Sequence, residues 1–131
     1  MNPISTRKIP APLSNPETEP FWAAARQGKF LIRRCASCRQ AHWYPRAICP
    51  FCGGATAWQE ASGKAVIYTY SVMRRAAQPF AAAYVTLDEG PTLLTNIVDC
   101  DFDKLSIGGR VSVVFVPAGE EGAVVPMFTP D

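Results

Sequence analysis

Histidine is almost absent: the 131-residue chain has one, His42. A Ser–His–Asp arrangement has no second suitable element beside it, and no spacing elsewhere pairs an acid with a base. No apolar run approaches the ~20 residues of a membrane-spanning helix, so no crossing of a bilayer is expected. The first twenty residues, MNPISTRKIPAPLSNPETEP, carry no apolar stretch behind their charges and do not read as a signal peptide. The expected address is a reducing cytoplasm, where cysteines are metal ligands more readily than disulfides. Charged residues are also few, 18% against 48% hydrophobic. That balance excludes a disordered tail and a coiled coil, and 14.3 kDa is room for one ordinary domain or a small barrel with an appended module.

The net charge of +2 implies no polyanionic partner, but its distribution is uneven. Residues 26–60 carry +5 and residues 61–131 carry −3. A divalent metal on four thiolates would add −2 to the middle segment, which would stay basic.

Five of the twelve prolines lie in the first twenty residues. Proline fixes φ and removes a donor, so an extended arm is expected there, read as a loose terminus rather than one laid on a partner. Thr18 is placed as an N-cap, Phe21–Gln27 as a short helix and Gly28 as its left-handed stop; residues 1–28 form the arm-and-helix unit. Lys29–Arg34, His42-Trp43-Tyr44 and Ala57–Glu60 read as three strands of a ribbon over residues 29–62. Gly63 then punctuates. Lys64–Arg74, Phe80–Asp88, Pro91–Asp99, Arg110–Pro117 and Ala123–Phe128 are five strand candidates, with turns that include Gly108-Gly109 and Gly119 to Gly122. Strict alternation puts Val66, Tyr68, Tyr70 and Val72 on one face of the first of them. Five strands in residues 63–131 suit a small closed barrel better than a sandwich. The fold class expected is mainly β: a short helix, a rubredoxin-like ribbon and a five-stranded OB-type barrel.

Four of the five cysteines carry the strongest chemical signal. Cys35-Ala36-Ser37-Cys38 and Cys49-Pro50-Phe51-Cys52 form two C-x2-C pairs ten residues apart. Two intervening residues let a tight turn bring both sulfurs to one side, and two such turns make a tetrahedron about 2.3 Å from a zinc ion. Iron suits the same four sulfurs, with zinc the favoured ion. A set of four protein ligands leaves no open position, so the metal is structural, the staple a ribbon with little core needs. Gly53 suits the positive φ that often follows the second cysteine of such a turn; Arg39 stands at the equivalent place in the first. His42 would be a fifth candidate for four places and reads as a ribbon surface residue. Cys100 reads as a small buried hydrophobe. Asp99, Asp101 and Asp103 read as a solvated acidic loop rather than a calcium site.

The run PFWAAARQGKF, the C-x2-C ribbon, Tyr44-Pro45-Arg46, the CPFCG turn and the opening GKAVIYTY of the barrel together resemble a known family. It comprises acyl-CoA-associated OB-fold proteins with an N-terminal rubredoxin-like zinc ribbon, domain-of-unknown-function family 35. The resemblance covers about residues 18–128. It implies a non-catalytic accessory subunit, with no catalytic residue of its own. Such a subunit binds acyl-CoA or supports a thiolase-fold, hydratase or aldolase partner in a hetero-oligomer. On that reading Arg33, Arg34, Arg39 and Arg46 are candidates for the coenzyme A phosphates, and Phe21 and Trp22 for partner docking.

Two other functions remain open at this point. Zinc ribbons and OB barrels also bind nucleic acid, and Tyr68, Tyr70 and Tyr84 could stack bases. The acidic barrel half argues against that reading, because a groove tracking phosphates needs positive charge. An iron-loaded ribbon would be an electron carrier, red when oxidised where a zinc site is colourless.

Overall fold

In the computed structural model, which describes residues 8–119 and 122–131, one α-helix and eight strands follow in chain order, with a short 3-10 turn at Phe102–Lys104. They are α1 (Glu19–Ala25), β1 (Leu31–Cys35), β2 (Ala41–His42), β3 (Thr56–Glu60), β4 (Lys64–Met73), β5 (Phe80–Leu87), β6 (Thr92–Ile97), β7 (Arg110–Pro117) and β8 (Val124–Pro130). Residues 1–7 of the proline-rich arm, Pro3 among them, and the Glu120–Glu121 step of the last turn lie outside the described residues.

The helix starts directly after Thr18 as expected, with Pro20 in a first turn whose N–H groups need no intrahelical partner, and it ends at Ala25, two residues short of Gln27. Thr18 holds the N-cap position without a capping side chain. Its hydroxyl donates instead to Asn15 Oδ1 at 3.1 Å, and Asn15 O takes the Glu19 N–H at 2.8 Å. Gly28, at φ 79°, closes the helix as expected. Seven residues do not hold as a helix alone. This one is held by Phe21, fully buried against Phe30 and Trp43 at ring-centroid distances of 5.8 and 5.2 Å. Phe21 therefore serves the chain's own core, a correction to its expected docking role.

The described part of the arm lies on the barrel of its own chain. Gly119 N–H donates to Ile9 O at 2.7 Å, and a Cβ at Gly119 would meet Ala11 N at 2.8 Å. Ile9 packs on a small cluster of Val98, Val116 and Met127. These described residues of the arm are therefore not a loose terminus.

The ribbon is an antiparallel sheet in the order β2-β1-β3. The barrel closes in the order β4-β5-β6-β8-β7, with Ile97 of β6 paired in parallel to Phe128 of β8. One core serves ribbon and barrel alike: Phe21, Phe30, Ile32 and Ala61 join Ile67, Val85, Ile97, Val111 and Phe128. Gly63, at φ 77°, carries the chain between them where a Cβ would come within 2.5 Å of Val113 Cγ1.

Alternation along β4 breaks at a register shift between Ile67 and Thr69. An extra residue in one strand turns everything after it to the other face. Val66 and Tyr68 thus face out, while Tyr70 and Val72 pack on the core. Tyr70 leaves the expected stacking row altogether, and its hydroxyl donates to Leu105 O at 2.9 Å.

Candidate metal centre and its surroundings

β1 delivers Cys35 to the end of the ribbon, and the turn after it folds back so that Arg39 N–H donates to Cys35 O at 3.1 Å. The Ser37 and Cys38 N–H groups point at Cys35 Sγ, each at 3.3 Å. The second turn repeats the device: Gly53 N–H donates to Cys49 O at 2.9 Å, and Phe51 N–H to Cys49 Sγ at 3.3 Å. Gly53 has φ 78° and Arg39 has φ 64°, so both residues adopt the left-handed geometry that the turn demands. Gly54 sits where a Cβ would come within 2.9 Å of Ser37 Oγ and 3.2 Å of Cys35 Sγ.

These turns bring the sulfurs of Cys35, Cys38, Cys49 and Cys52 within 4.8 Å of one another. Contacts across the two turns are Cys35–Cys52 at 3.5 Å and Cys38–Cys49 at 3.7 Å. A tetrahedron with metal–sulfur bonds of about 2.3 Å has edges of about 3.8 Å, so the four are poised for a metal ion. Among the described residues no other group of three or more His, Cys, Asp or Glu side chains is placed to hold a metal. The N–H donors favour thiolate: the Cys38 N–H foremost, with that of Ser37, draws the Cys35 thiol down to about 6.

His42 is buried, 2% exposed, contrary to the surface position expected for it. The short β2 turns its ring inward, and Nε2 accepts the Arg46 N–H at 3.2 Å. Burial holds its pKa below the ordinary histidine value, so the ring is neutral at neutral pH. Cys100 is buried as expected, and burial pushes its thiol up.

Three of the four candidate arginines are engaged within the chain. Arg33 and Arg34 are neighbours on β1 and so project to opposite faces. The Arg33 guanidinium lies 4.2 Å above the Trp58 ring and donates to Thr56 O at 3.0 Å. Arg34 donates to Gln59 Oε1 at 2.6 Å and to Arg39 O at 2.7 Å. Arg46 meets Glu17 at 3.4 Å, tying the ribbon to the residue before the helix cap. Glu17 also accepts the Ala47 N–H at 2.8 Å, the main cause of its lowered pKa. Arg39 is exposed. Trp22 is half-buried beside Phe21 and lines a cavity of about 130 Å³ with Pro12 and Arg26.

In the acidic loop, Asp101 accepts the Asp103 N–H at 3.0 Å and Asp103 meets Arg74 at 2.7 Å. The loop is a capped turn with an ion pair. No helix among the described residues is long and apolar enough to cross a membrane.

The profile for "ChsH2, rubredoxin-like zinc ribbon domain" matches residues 22–58, and that for "ChsH2, C-terminal OB-fold domain" matches residues 58–116. A probable enoyl-CoA hydratase alpha subunit of Thermomonospora curvata is 34% identical over 128 residues, 92% of this chain; the chain spans only 40% of that relative's length. A DUF35 domain-containing scaffold protein of Methanocaldococcus jannaschii is 36% identical over 110 residues, covering 77% of this chain and 78% of the relative. Among solved structures, one titled Ltp2-ChsH2(DUF35) aldolase superposes with a TM-score of 0.77 at 32% identity, covering 91% of this chain and 98% of the other.

Proposed function

The chain belongs to the DUF35 family, the pairing of a ChsH2-type rubredoxin-like zinc ribbon with an OB-fold, and from that premise we propose that it is a non-catalytic accessory subunit of an enzyme acting on acyl-CoA. The observation that carries this reading is the closed Cys35–Cys38–Cys49–Cys52 centre. Four protein ligands fill a tetrahedral ion's coordination sphere, leaving no place for a substrate or an activated water. A metal there staples the ribbon and performs no step. The names of the relatives agree with an enzyme partner: one is a hydratase alpha subunit, one a scaffold protein, and one solved relative is an aldolase assembly.

Zinc is the ion proposed, one per chain. Metal analysis of the purified protein tests it. A colourless protein with one zinc is expected; a red iron protein, or folded protein with four titratable thiols, overturns it. The partner proposed is a thiolase-fold, hydratase or aldolase subunit. The chain alone, the enzyme alone and the mixture are assayed on a CoA thioester. Turnover that rises only in the mixture, with comigration on a sizing column, is the expected result.

Coenzyme A contact by the ribbon is a finer part of the same reading. Arg39 is the exposed candidate, whereas Arg33, Arg34 and Arg46 would have to leave Thr56, Gln59 and Glu17 to reach a phosphate. Arg39→Glu should weaken thioester binding by the complex, more at low salt than at high. Unchanged affinity at both salts removes the ribbon from the coenzyme site. Nucleic-acid binding is the weaker reading, because the one cation on the strands of the exposed Tyr68 and Tyr84 is Lys64 at the start of β4, and its Nζ donates to Ser112 Oγ at 2.9 Å.

A further inference from the structure

Three successive strands of the barrel wall carry no charged residue except Lys64 at the very start of β4: none lies from Ala65 to Met73, from Phe80 to Leu87, or from Pro91 to Val98. Inside a barrel that is unremarked; outside, it is unusual, since water-facing strand positions normally carry charge. The pairing Val66↔Thr86↔Thr92 and the pairing Tyr84↔Leu94 put these side chains on one outer face, and the shift after Ile67 leaves Tyr68 beside them. Tyr68, Tyr84 and Leu94 are 66%, 46% and 61% exposed. Leu94 continues into a groove of about 420 Å³ that reaches Val125 and Pro126 on β8. The groove lies where β6 and β8 meet through the single pairing Ile97↔Phe128.

We propose that this wall and groove are the docking surface for a folded partner subunit, which meets them with an uncharged, apolar face. The proposal rests on the accessory-subunit reading and adds where that partner sits. Charge selects the occupant. A charge opposite the wall would lose water and find no counter-ion, which costs several kcal/mol. A nucleic-acid backbone or an anionic lipid surface needs cations along its path, and the face between the strand ends carries none. Charged groups stand only at the ends of the wall: Lys64, Asp88, Glu89 and Arg110 at one, Arg74, Arg75 and Asp99 at the other. An apolar centre bounded by a polar rim is the ordinary anatomy of an interface, with tyrosine a frequent anchor. Area argues against two copies meeting wall to wall. Three strands at about 4.8 Å spacing and about eight residues long offer roughly 400 Å². A stable interface needs about 800 Å² on each side. A larger partner that follows the wall round into the groove supplies the remainder.

The test uses the full chain and, as probe, a purified thiolase-fold, hydratase or aldolase subunit from the same organism. Leu94→Lys and Tyr84→Lys are compared with wild type by sizing chromatography and titration calorimetry, after circular dichroism and melting show each to be folded. Leu94→Asn is the milder substitute should a lysine variant not fold. Leu13→Lys, at a residue 95% exposed in the N-terminal arm, is the off-wall control. The wall variants should bind at least roughly 30-fold more weakly than wild type, with the control unchanged. Wall variants that bind within about threefold of wild type overturn the assignment and leave the accessory reading standing. Equal weakening by Leu13→Lys also overturns it. A wild-type chain that does not bind the enzyme overturns both. A wild-type homodimer that Leu94→Lys dissociates gives the wall to a second copy and overturns the proposal.

Discussion

A methyl group at Gly54 would press on Ser37 Oγ at 2.9 Å and on Cys35 Sγ at 3.2 Å, beside a sulfur that must hold its place in the tetrahedron. Gly54→Ala should destabilise the metal-loaded chain by about 1–3 kcal/mol, read from denaturant unfolding. Arg39 presents the converse case. Its φ of 64° is strained for any side chain, and the carbonyl that Arg34 uses survives substitution. Arg39→Gly should gain up to about 1 kcal/mol, offset in part by the freer unfolded chain. His42 carries a pH prediction. Burial, foremost, lowers its folded pKa, so below pH ~6.5 the unfolded chain takes up a proton that the folded chain refuses. Stability is then complete above that pH and falls as pH drops through ~6.5 towards the folded value. Thiolate protonation falls in the same direction, so the measurement is a difference. His42→Gln keeps an acceptor for the Arg46 N–H and should flatten the slope of unfolding free energy between about pH 6.5 and 5. An unchanged slope would show that His42 does not titrate on unfolding in that range.

At the scale of elements, α1 depends on Phe21. A seven-residue helix has almost no stability of its own, and this side chain is its fully buried aromatic. Phe21→Ala should cost about 3–5 kcal/mol in thermal or denaturant unfolding, and Trp22→Ala distinctly less because its ring is only half-buried. The same comparison explains what could be read from the chain. The two C-x2-C turns were legible because ligand spacing is a local property: two intervening residues and a left-handed fifth position bring the sulfurs together whatever surrounds them. The strands of the barrel were legible from alternation and from turn residues. The turn of β4 was not, since a register shift depends on what β5 places opposite Ile67 and Thr69. His42 and Phe21 escaped for a related reason. Their burial is decided by Arg46, Phe30 and Trp43, residues whose approach no periodicity encodes. The arginines of the ribbon looked like a free basic patch because their partners, Trp58, Gln59 and Glu17, come from other segments.

At the scale of the whole molecule, the metal site and the barrel are joined through one core. Gly63 marks a change of pattern in the sequence, and on that ground alone the ribbon could melt and leave the barrel untouched. The packing argues otherwise. Phe30 of the ribbon meets Phe128 of β8 at 6.1 Å, and Phe128 is also the residue through which β6 and β8 pair to close the barrel. Its carbonyl takes the Val98 N–H at 2.8 Å. Removal of the proposed ion would withdraw most of what folds the ribbon, since a structural zinc contributes on the order of 10 kcal/mol or more. Phe30 and Ile32 then leave the core, and Phe128 loses its cover. Chelation should therefore speed hydrogen exchange throughout β1–β3 and also at Val98 and along β8. The β4–β5–β6 wall, paired strand to strand through its own long ladders, should keep its protection. Exchange resolved by peptide, with and without a strong chelator, separates the outcomes. If Val98 and β8 stay as protected as in the loaded protein while the ribbon exchanges freely, the barrel closes without help from the metal site, and the coupling through Phe30 and Phe128 is absent.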